Sequence, residues 1–322
     1  MKTLSSPFIW IILVVVGGTS LLPIITNSVS LREDMFLMLM LVILASSINI
    51  IMGYTGYVSF GHIVFFGLGG YLAFFLMKEF QVQFMIAALI GGVGASLIAF
   101  LIGIPVLRLR GAYFALATIG INEAFRTFFT NFDLFGGAVG MFFNFSVYDA
   151  YGGAKNAGQL AYYAMAVLTL ATIATSFIIK KSKFGLGLMA IREDQDASMV
   201  LGIDPARLKV LTYTISAFFP AVAGAIFFFK NGLIEPHPAF DLYRSIEALV
   251  MVMLGGYGTV TGPIVGAVVY ERLRGFLITN PTLSNAHLVI AGVMLLLIVL
   301  FVTAGVIGWV RQRVPTLRRY LE

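Results

Sequence analysis

Cysteine is absent from the 322 residues, and charge is scarce, with Asp, Glu, Lys and Arg making up only 11%. The first absence excludes disulfides and thiolate metal sites. The second excludes an ordinary water-facing surface, because soluble globular domains carry about 25% charged residues. Histidine occurs three times, as His62, His237 and His287, without an H-E-x-x-H or comparable ligand spacing, so no metal site is expected. Neither a G-x-x-x-x-G-K-[ST] phosphate loop nor a G-x-S-x-G elbow occurs, which leaves ATP hydrolysis by that route and serine hydrolase chemistry without residues to perform them. No enzyme activity of the chain's own is therefore expected.

Apolar sequence takes the place of charge. Hydrophobic residues make up 59% of the chain, and the mean hydropathy is +0.96. Runs of about 17 to 25 apolar residues recur along the whole length, each long enough to cross a hydrocarbon core roughly 30 Å thick at 1.5 Å per helical residue. This reads as an all-α, polytopic membrane protein of about ten transmembrane helices, with residues 1–322 as a single transmembrane domain. The spans are expected near 7–25, 35–52, 53–77, 83–107, 111–130, 161–180, 210–230, 246–260, 263–279 and 287–309. The first reads as a retained span, not a cleaved signal peptide, since no small-residue cleavage site stands out after it.

The net charge of +6 does not imply nucleic acid, because the basic residues sit between apolar runs and not on one polar face. With ten spans both termini fall on one side, together with 13 of the 21 Lys and Arg residues: Lys2, Arg108, Arg110 and the clusters at 180–209 and 311–319. The bias of Lys and Arg toward cytoplasmic loops makes that side the inside. Two connections exceed the usual few residues: an outer one at about 131–160 and an inner, charged one at 181–209.

Two spans carry glycine at a density that a plain helix would not favour. Gly53–Phe75 holds Gly53, Gly56, Gly61, Gly67, Gly69 and Gly70 with Ser59 and His62, and Leu254–Tyr270 holds Gly255, Gly256, Gly258, Gly262 and Gly266 around Pro263. Proline removes one backbone donor and obstructs the preceding turn, so the second helix should break just before it. Such interruptions in the two halves of a chain are the pattern of a transporter with pseudo-symmetric halves. Glycine also serves close helix packing, the plainer reading of any single position. His62 is the one histidine expected at membrane depth, as a pathway residue or as a neutral imidazole bonded to a neighbouring carbonyl. Glu123 and Arg126 should pair on one helix face, and Glu247 should mark the outer edge of a span. Buried carboxylates are few, which argues against an ion-coupled transporter acting alone.

The inner loop reads as a short amphipathic helix with Leu188, Ile191, Met199 and Leu201 on its apolar side. Gly202 should stop it in the left-handed conformation, and Asp204 with Pro205 should start the next helix. Such a helix docks on a partner or lies on the lipid surface.

Four stretches resemble the LivM-type permeases of the branched-chain amino acid ABC importers: GYTGYVSFGHIVFFGLGGY at 53–71, LRLRGAYFALATIGINEAFR at 107–126, GLGLMAIREDQDASMVLGID at 185–204, and SIEALVMVMLGGYGTVTGPIVGAVV at 245–269. Asp196, Ala197 and Ser198 depart from the family's more alanine-rich run. The resemblance implies a multi-pass permease of the bacterial inner membrane with both termini cytoplasmic. It would pair with a homologous second permease, two ATP-binding cassette subunits and a periplasmic solute-binding protein. No cofactor is implied in this chain; ATP and magnesium would sit on the partner subunits. The implied solute is a branched-chain amino acid, with urea, short amides or aromatic acids as the alternatives within the wider group. The 181–209 segment becomes a cytoplasmic coupling loop, with Gly185, Ala190, Arg192, Glu193, Asp194 and Gly202 as its candidate residues. Gly56, Ser59, Gly61, His62, Thr118, Gly136, Gly137, Gly255 and Gly256 are the candidates for the translocation pathway.

Overall fold

The computed structural model describes residues 28–279, together with Val14, residues 16–19 and Gly305. The spans expected near 7–25 and 287–309 lie outside the described residues apart from those isolated positions. Ser28 caps the first described helix, α1 (Val29–Thr55), by accepting from the Leu31 N–H. Nearly every side chain from Phe36 onward in α1 is buried, which makes it the central post of the bundle. α2 (Val64–Phe80), α3 (Phe84–Val106) and α4 (Ala112–Asn131) follow, then α5 (Ala154–Lys181). Two short helices, α6 (Lys183–Glu193) and α7 (Gln195–Val200), lead into α8 (Pro205–Asn231). A single turn, α9 (Pro236–Ala239), precedes α10 (Leu242–Gly255) and α11 (Gly262–Thr279). α1, α3, α5 and α8 are each long and apolar enough to cross a membrane.

α3 shows how small residues build this bundle. Met85, Leu89, Val93, Leu97 and Ile104 form an exposed stripe at helical spacing, as a lipid-facing surface requires. On the opposite face Ala87, Gly91, Ala95, Ala99 and Gly103 recur every four residues and are buried. That face packs on α2 and α8. A Cβ at Gly91 would lie 2.6 Å from the Gly69 carbonyl oxygen, and one at Gly224 in α8 would lie 2.0 Å from that of Phe66. In lipid, where apolar contact with tails competes on equal terms, this close approach supplies the association.

Several boundaries differ from the sequence expectation. α1 begins at Val29, and Gly53, Tyr54 and Thr55 close it instead of opening the next span. α5 begins at Ala154, so the connection expected at 131–160 shortens to 132–153. That connection is a packed cap of 3-10 turns with a two-residue strand, Met141–Phe142, paired antiparallel to Leu233–Ile234. The Tyr148 hydroxyl donates to the Phe229 carbonyl at 2.7 Å, and the Phe84 N–H donates to the Tyr151 hydroxyl at 2.8 Å. α10 has 14 residues, a length of about 21 Å, and so reaches only part-way through a membrane.

Candidate functional site

The first helix break runs from Gly56 to Ile63. Gly56 ends α1 with φ of 78°, and its N–H donates back to the Met52 carbonyl at 2.9 Å. Glycine takes that left-handed turn without a Cβ penalty. Backbone donors released by the break find side-chain acceptors. Phe60 N–H donates to Thr118 Oγ1 at 3.1 Å, and Ile63 N–H to Ser245 Oγ at 2.9 Å. Unwound backbone at membrane depth persists only where it is satisfied in this way. Ser59 and His62 are fully buried beside it. Neither ring nitrogen of His62 has a well-formed hydrogen bond; the Ser216 carbonyl lies near, and the ring packs edge-on to Phe65 and Tyr213.

The second break falls where the proline placed it. α10 ends at Gly255, Gly256 and Gly258 have φ of 118° and 73°, and Pro263 is the second residue of α11. There its missing N–H leaves no gap in the helix. Thr259 Oγ1 accepts from Gly262 N–H at 2.9 Å and donates to the Gly256 carbonyl at 2.8 Å. Asn49, inside the apolar run of α1, donates through Nδ2 to the Thr259 carbonyl and accepts from Gly258 N–H, both at 2.9 Å.

The second break packs on the last turn of α1, and the glycines of both breaks flank one side chain, since Cβ atoms on Gly56 and Gly258 would lie 3.2 and 2.8 Å from Arg192 atoms. A Cβ on Gly53 would lie 2.6 Å from Gly258 N. Into this joint reaches Arg192, from the last turn of α6. Its Nη1 donates to the Gly53 carbonyl at 2.9 Å, while Nη2 pairs with Glu193 at the same distance. A second link joins α7 to the first break, where the Tyr57 hydroxyl donates to Gln195 Oε1 at 2.9 Å, and Lys209 of α8 braces it. Lys209 Nζ donates to the Tyr57 hydroxyl and to the Leu107 carbonyl, each at 2.7 Å, and to Gln195 Oε1 at 3.1 Å. Gly56, Tyr57, Arg110, Arg192 and Gln195 line a cavity of about 690 Å³ at this end, closed by apolar residues such as Leu249 and Met253.

The inner loop is two helices, not the single one its pattern suggests. Asp194 leaves the helical conformation at φ of −156° and caps α7 through bonds from Asp196 and Ala197 N–H at 2.8 and 2.9 Å. The expected apolar stripe divides there: Leu188 and Ile191 are buried against the bundle, whereas Met199 and Leu201 are exposed. Gly202 has φ of 82°, and Asp204 caps α8 through Ala206 and Arg207 N–H. Gly185 sits against the Ile179 carbonyl, Ala190 is half-buried, and Glu193 is exposed. Arg110 and Asp196 form an exposed two-bond fork at 2.9 and 3.1 Å. The hydrogen bond from Arg110, then its charge, holds the Asp196 carboxyl below its usual range.

The pathway candidates do not form one group. Ser59, Gly61, His62 and Thr118 lie together, with a Cβ at Gly61 only 1.8 Å from the Thr118 carbonyl oxygen, so Gly61 is a packing contact. Gly255 is likewise pressed against the Gly262 carbonyl, and Gly256 forms the turn beside it. Gly136 and Gly137 sit in the 3-10 turns of the outer connection, away from both breaks. Glu123 and Arg126 pair on α4 as expected. Glu247 lies in the second turn of α10, is 5% exposed and accepts from the Tyr270 hydroxyl at 3.0 Å. Asn49, Tyr57, Lys209 and Arg244 were not singled out by sequence, although polar residues in or beside an apolar run are a signal for each.

A bundle of apolar helices with two helix breaks brought together at one end is the architecture of a multi-pass membrane permease. The family model described as "Branched-chain amino acid transport system / permease component" matches residues 33–300, and the chain belongs to that family. It is 30% identical over 262 residues to the high-affinity branched-chain amino acid transport system permease protein LivM of Escherichia coli (strain K12), a match covering 73% of this chain and 61% of the relative. The chain thus spans about three-fifths of the length of that curated relative. The LivH permease protein of Salmonella typhimurium is 29% identical over 44% of this chain and 45% of its own. The ribose import permease protein RbsC of Bacillus subtilis is 27% identical over 41% and 42%. No solved structure matches the chain at a significant level.

Proposed function

We propose that the whole chain acts as one transmembrane permease domain of an ABC importer, carrying branched-chain amino acids or a related small polar solute inward across a bacterial inner membrane. The observation that carries this reading is Arg192, which joins the short helix α6 to the point where the two helix breaks meet. A push on α6 and α7 from outside the bundle is thereby delivered to the last turn of α1, next to the glycines of both breaks.

The partners follow from the family. Two ATP-binding cassette subunits, holding ATP and magnesium, would seat on α6 and α7 at the cytoplasmic face, the face of the basic 180–209 segment and of both termini. A soluble binding protein would dock on the 132–153 side, and a homologous permease would complete the pore, as the separate likeness to LivM and LivH supports. The permease alternates between outward and inward access as ATP closes the cassettes. Gly56 and Arg192 line the inner cavity; Ser59 and His62 stand at the break beyond it.

The test is binding-protein-stimulated ATP hydrolysis and solute uptake by the complex in vesicles. Ala190→Glu places a charge on the half-buried face of α6, and stimulation should fall at least tenfold while the permease still folds. Unchanged stimulation removes the coupling role from that face. Uptake by the lone chain, driven by an ion gradient, would overturn the importer reading.

A further inference from the structure

A second cavity, of about 320 Å³, lies between α1, α10 and α11. It sits toward the end of the bundle where Asp241 caps α10, the same end as the 132–153 connection. Five charged side chains line it: Asp241, Arg244, Glu247, Glu271 and Arg274. Arg274 is committed to its neighbours, 3.7 Å from Glu271 and 3.8 Å from Glu247. Arg244 is not. Its guanidinium lies over the rings of Phe227 and Phe66, at 5.1 and 5.8 Å, and among the described residues no carboxylate stands within ion-pairing distance of it. Glu247 spends one oxygen on the Tyr270 hydroxyl; the other has no partner among the described residues.

A guanidinium with open donors inside a cavity is a receptor for a planar anion, since its fork matches a carboxylate in two parallel bonds. A buried carboxylate with a free oxygen a turn further along the same helix face is a receptor for an ammonium group, at i and i+3 spacing. The remaining wall is apolar, from Leu41 and Leu44 of α1 and Phe227 of α8. Resting on the importer reading above, we propose that this cavity is the permease's own transit site for the solute. Arg244 would take the α-carboxylate, Glu247 the α-ammonium, and the apolar wall an aliphatic side chain. Its size is at the low end of ligand pockets, which run from about 300 to 1,000 Å³, and so selects a small zwitterion. α10 also carries Ser245, which holds the first break through Ile63 N–H. Occupancy and the break therefore share one helix.

The experiment uses the full complex in vesicles with its binding protein and radiolabelled leucine. If the wild-type complex takes up no leucine, the amino-acid importer reading itself fails, and the variants are not needed to show it. If it does, Arg244→Gln should lower leucine delivered per ATP hydrolysed at least tenfold while the loaded binding protein still stimulates the ATPase, and Arg244→Lys should recover part of that loss. Saturation-transfer NMR of leucine on the complex in nanodiscs, without binding protein, should show contact in the wild type and none in Arg244→Gln or Glu247→Gln. Leu41→Phe, which fills the cavity without touching a charge, should also block delivery. Wild-type delivery in Leu41→Phe or in an assembled Arg244→Gln complex overturns the proposal, as does undiminished leucine contact in the NMR measurement.

Discussion

On one side of the molecule α2, α3 and α8 approach until a methyl group at Gly69, Gly91 or Gly224 would fall 2.3, 2.6 or 2.0 Å from a backbone oxygen. On the other, α1, α10 and α11 meet through broken helix ends whose backbone groups are held by Asn49, Thr118, Ser245 and Thr259. Both sides are glycine-rich, and glycine does opposite work on each. In the trio it removes side chains so that continuous helices lock without room to slide, and packed interiors of that kind deform little. In the joint it permits the left-handed turns at Gly56 and Gly258, and polar side chains hold what glycine leaves loose. A permease that alternates needs both: a body that keeps its shape and a joint that has more than one arrangement.

The largest effect should come from breaking the trio. Gly224→Val puts branched carbon against the Phe66 carbonyl, and relief requires α2 to move as a unit. Overpacking in a core costs about 1 to 3 kcal/mol and more where backbone must shift. The variant should lose monodisperse protein on extraction or show a sharply lower melting temperature. Normal melting would mean that the trio is not locked. Gly61, although it stands in the first break, belongs with the trio in this respect because of its contact with Thr118.

A smaller and more selective effect is expected in the joint. Lys209→Met keeps the stem and removes the donors to Tyr57, Leu107 and Gln195. Hydrogen bonds from a charged group contribute about 1.5 to 3 kcal/mol each at most, and here the loss removes the cation that braces the direct Tyr57–Gln195 hydrogen bond between the first break and α7. The fold should survive, with binding-protein-stimulated ATP hydrolysis reduced about tenfold in vesicles and basal hydrolysis retained. Equal loss of both rates, or of neither, would remove Lys209 from the transmission path.

The membrane architecture was legible because hydropathy acts over whole spans and is indifferent to detail. The break before Pro263 and the stop at Gly202 were legible for a local reason, since backbone chemistry at proline and glycine acts within a turn. The split of the inner loop into α6 and α7 was missed. Asp194 reads in sequence as one more charge on a polar face, and only its cap to Asp196 and Ala197 marks the bend. The burial of Glu247 was not legible for a longer-range reason: its partner Tyr270 is 23 residues away on another helix, and periodicity carries no information about which neighbour buries a side chain. That Gly136 and Gly137 fall in 3-10 turns with left-handed backbone was not legible either, because those turns are set by the packing of the 132–153 connection.

The smallest effect should come from the rim of the joint, where Arg110 grips Asp196 in full contact with water. Asp196 titrates below its usual range because Arg110 bonds to and attracts the ionised form. A depressed carboxyl contributes stability that is present above its unfolded pKa and is lost as pH falls through the lowered folded value. The pair should therefore persist across neutral pH and dissolve only in acid, and at high salt its attraction should be screened. Arg110→Gln should raise the Asp196 titration toward the ordinary carboxylate value, read by NMR of the labelled side chain, while melting temperature changes by no more than the scatter between preparations. A clear fall in melting temperature at neutral pH and high salt would mean that the rim carries structural load, and the contrast between a locked body and a lightly held joint would have to be redrawn at α7.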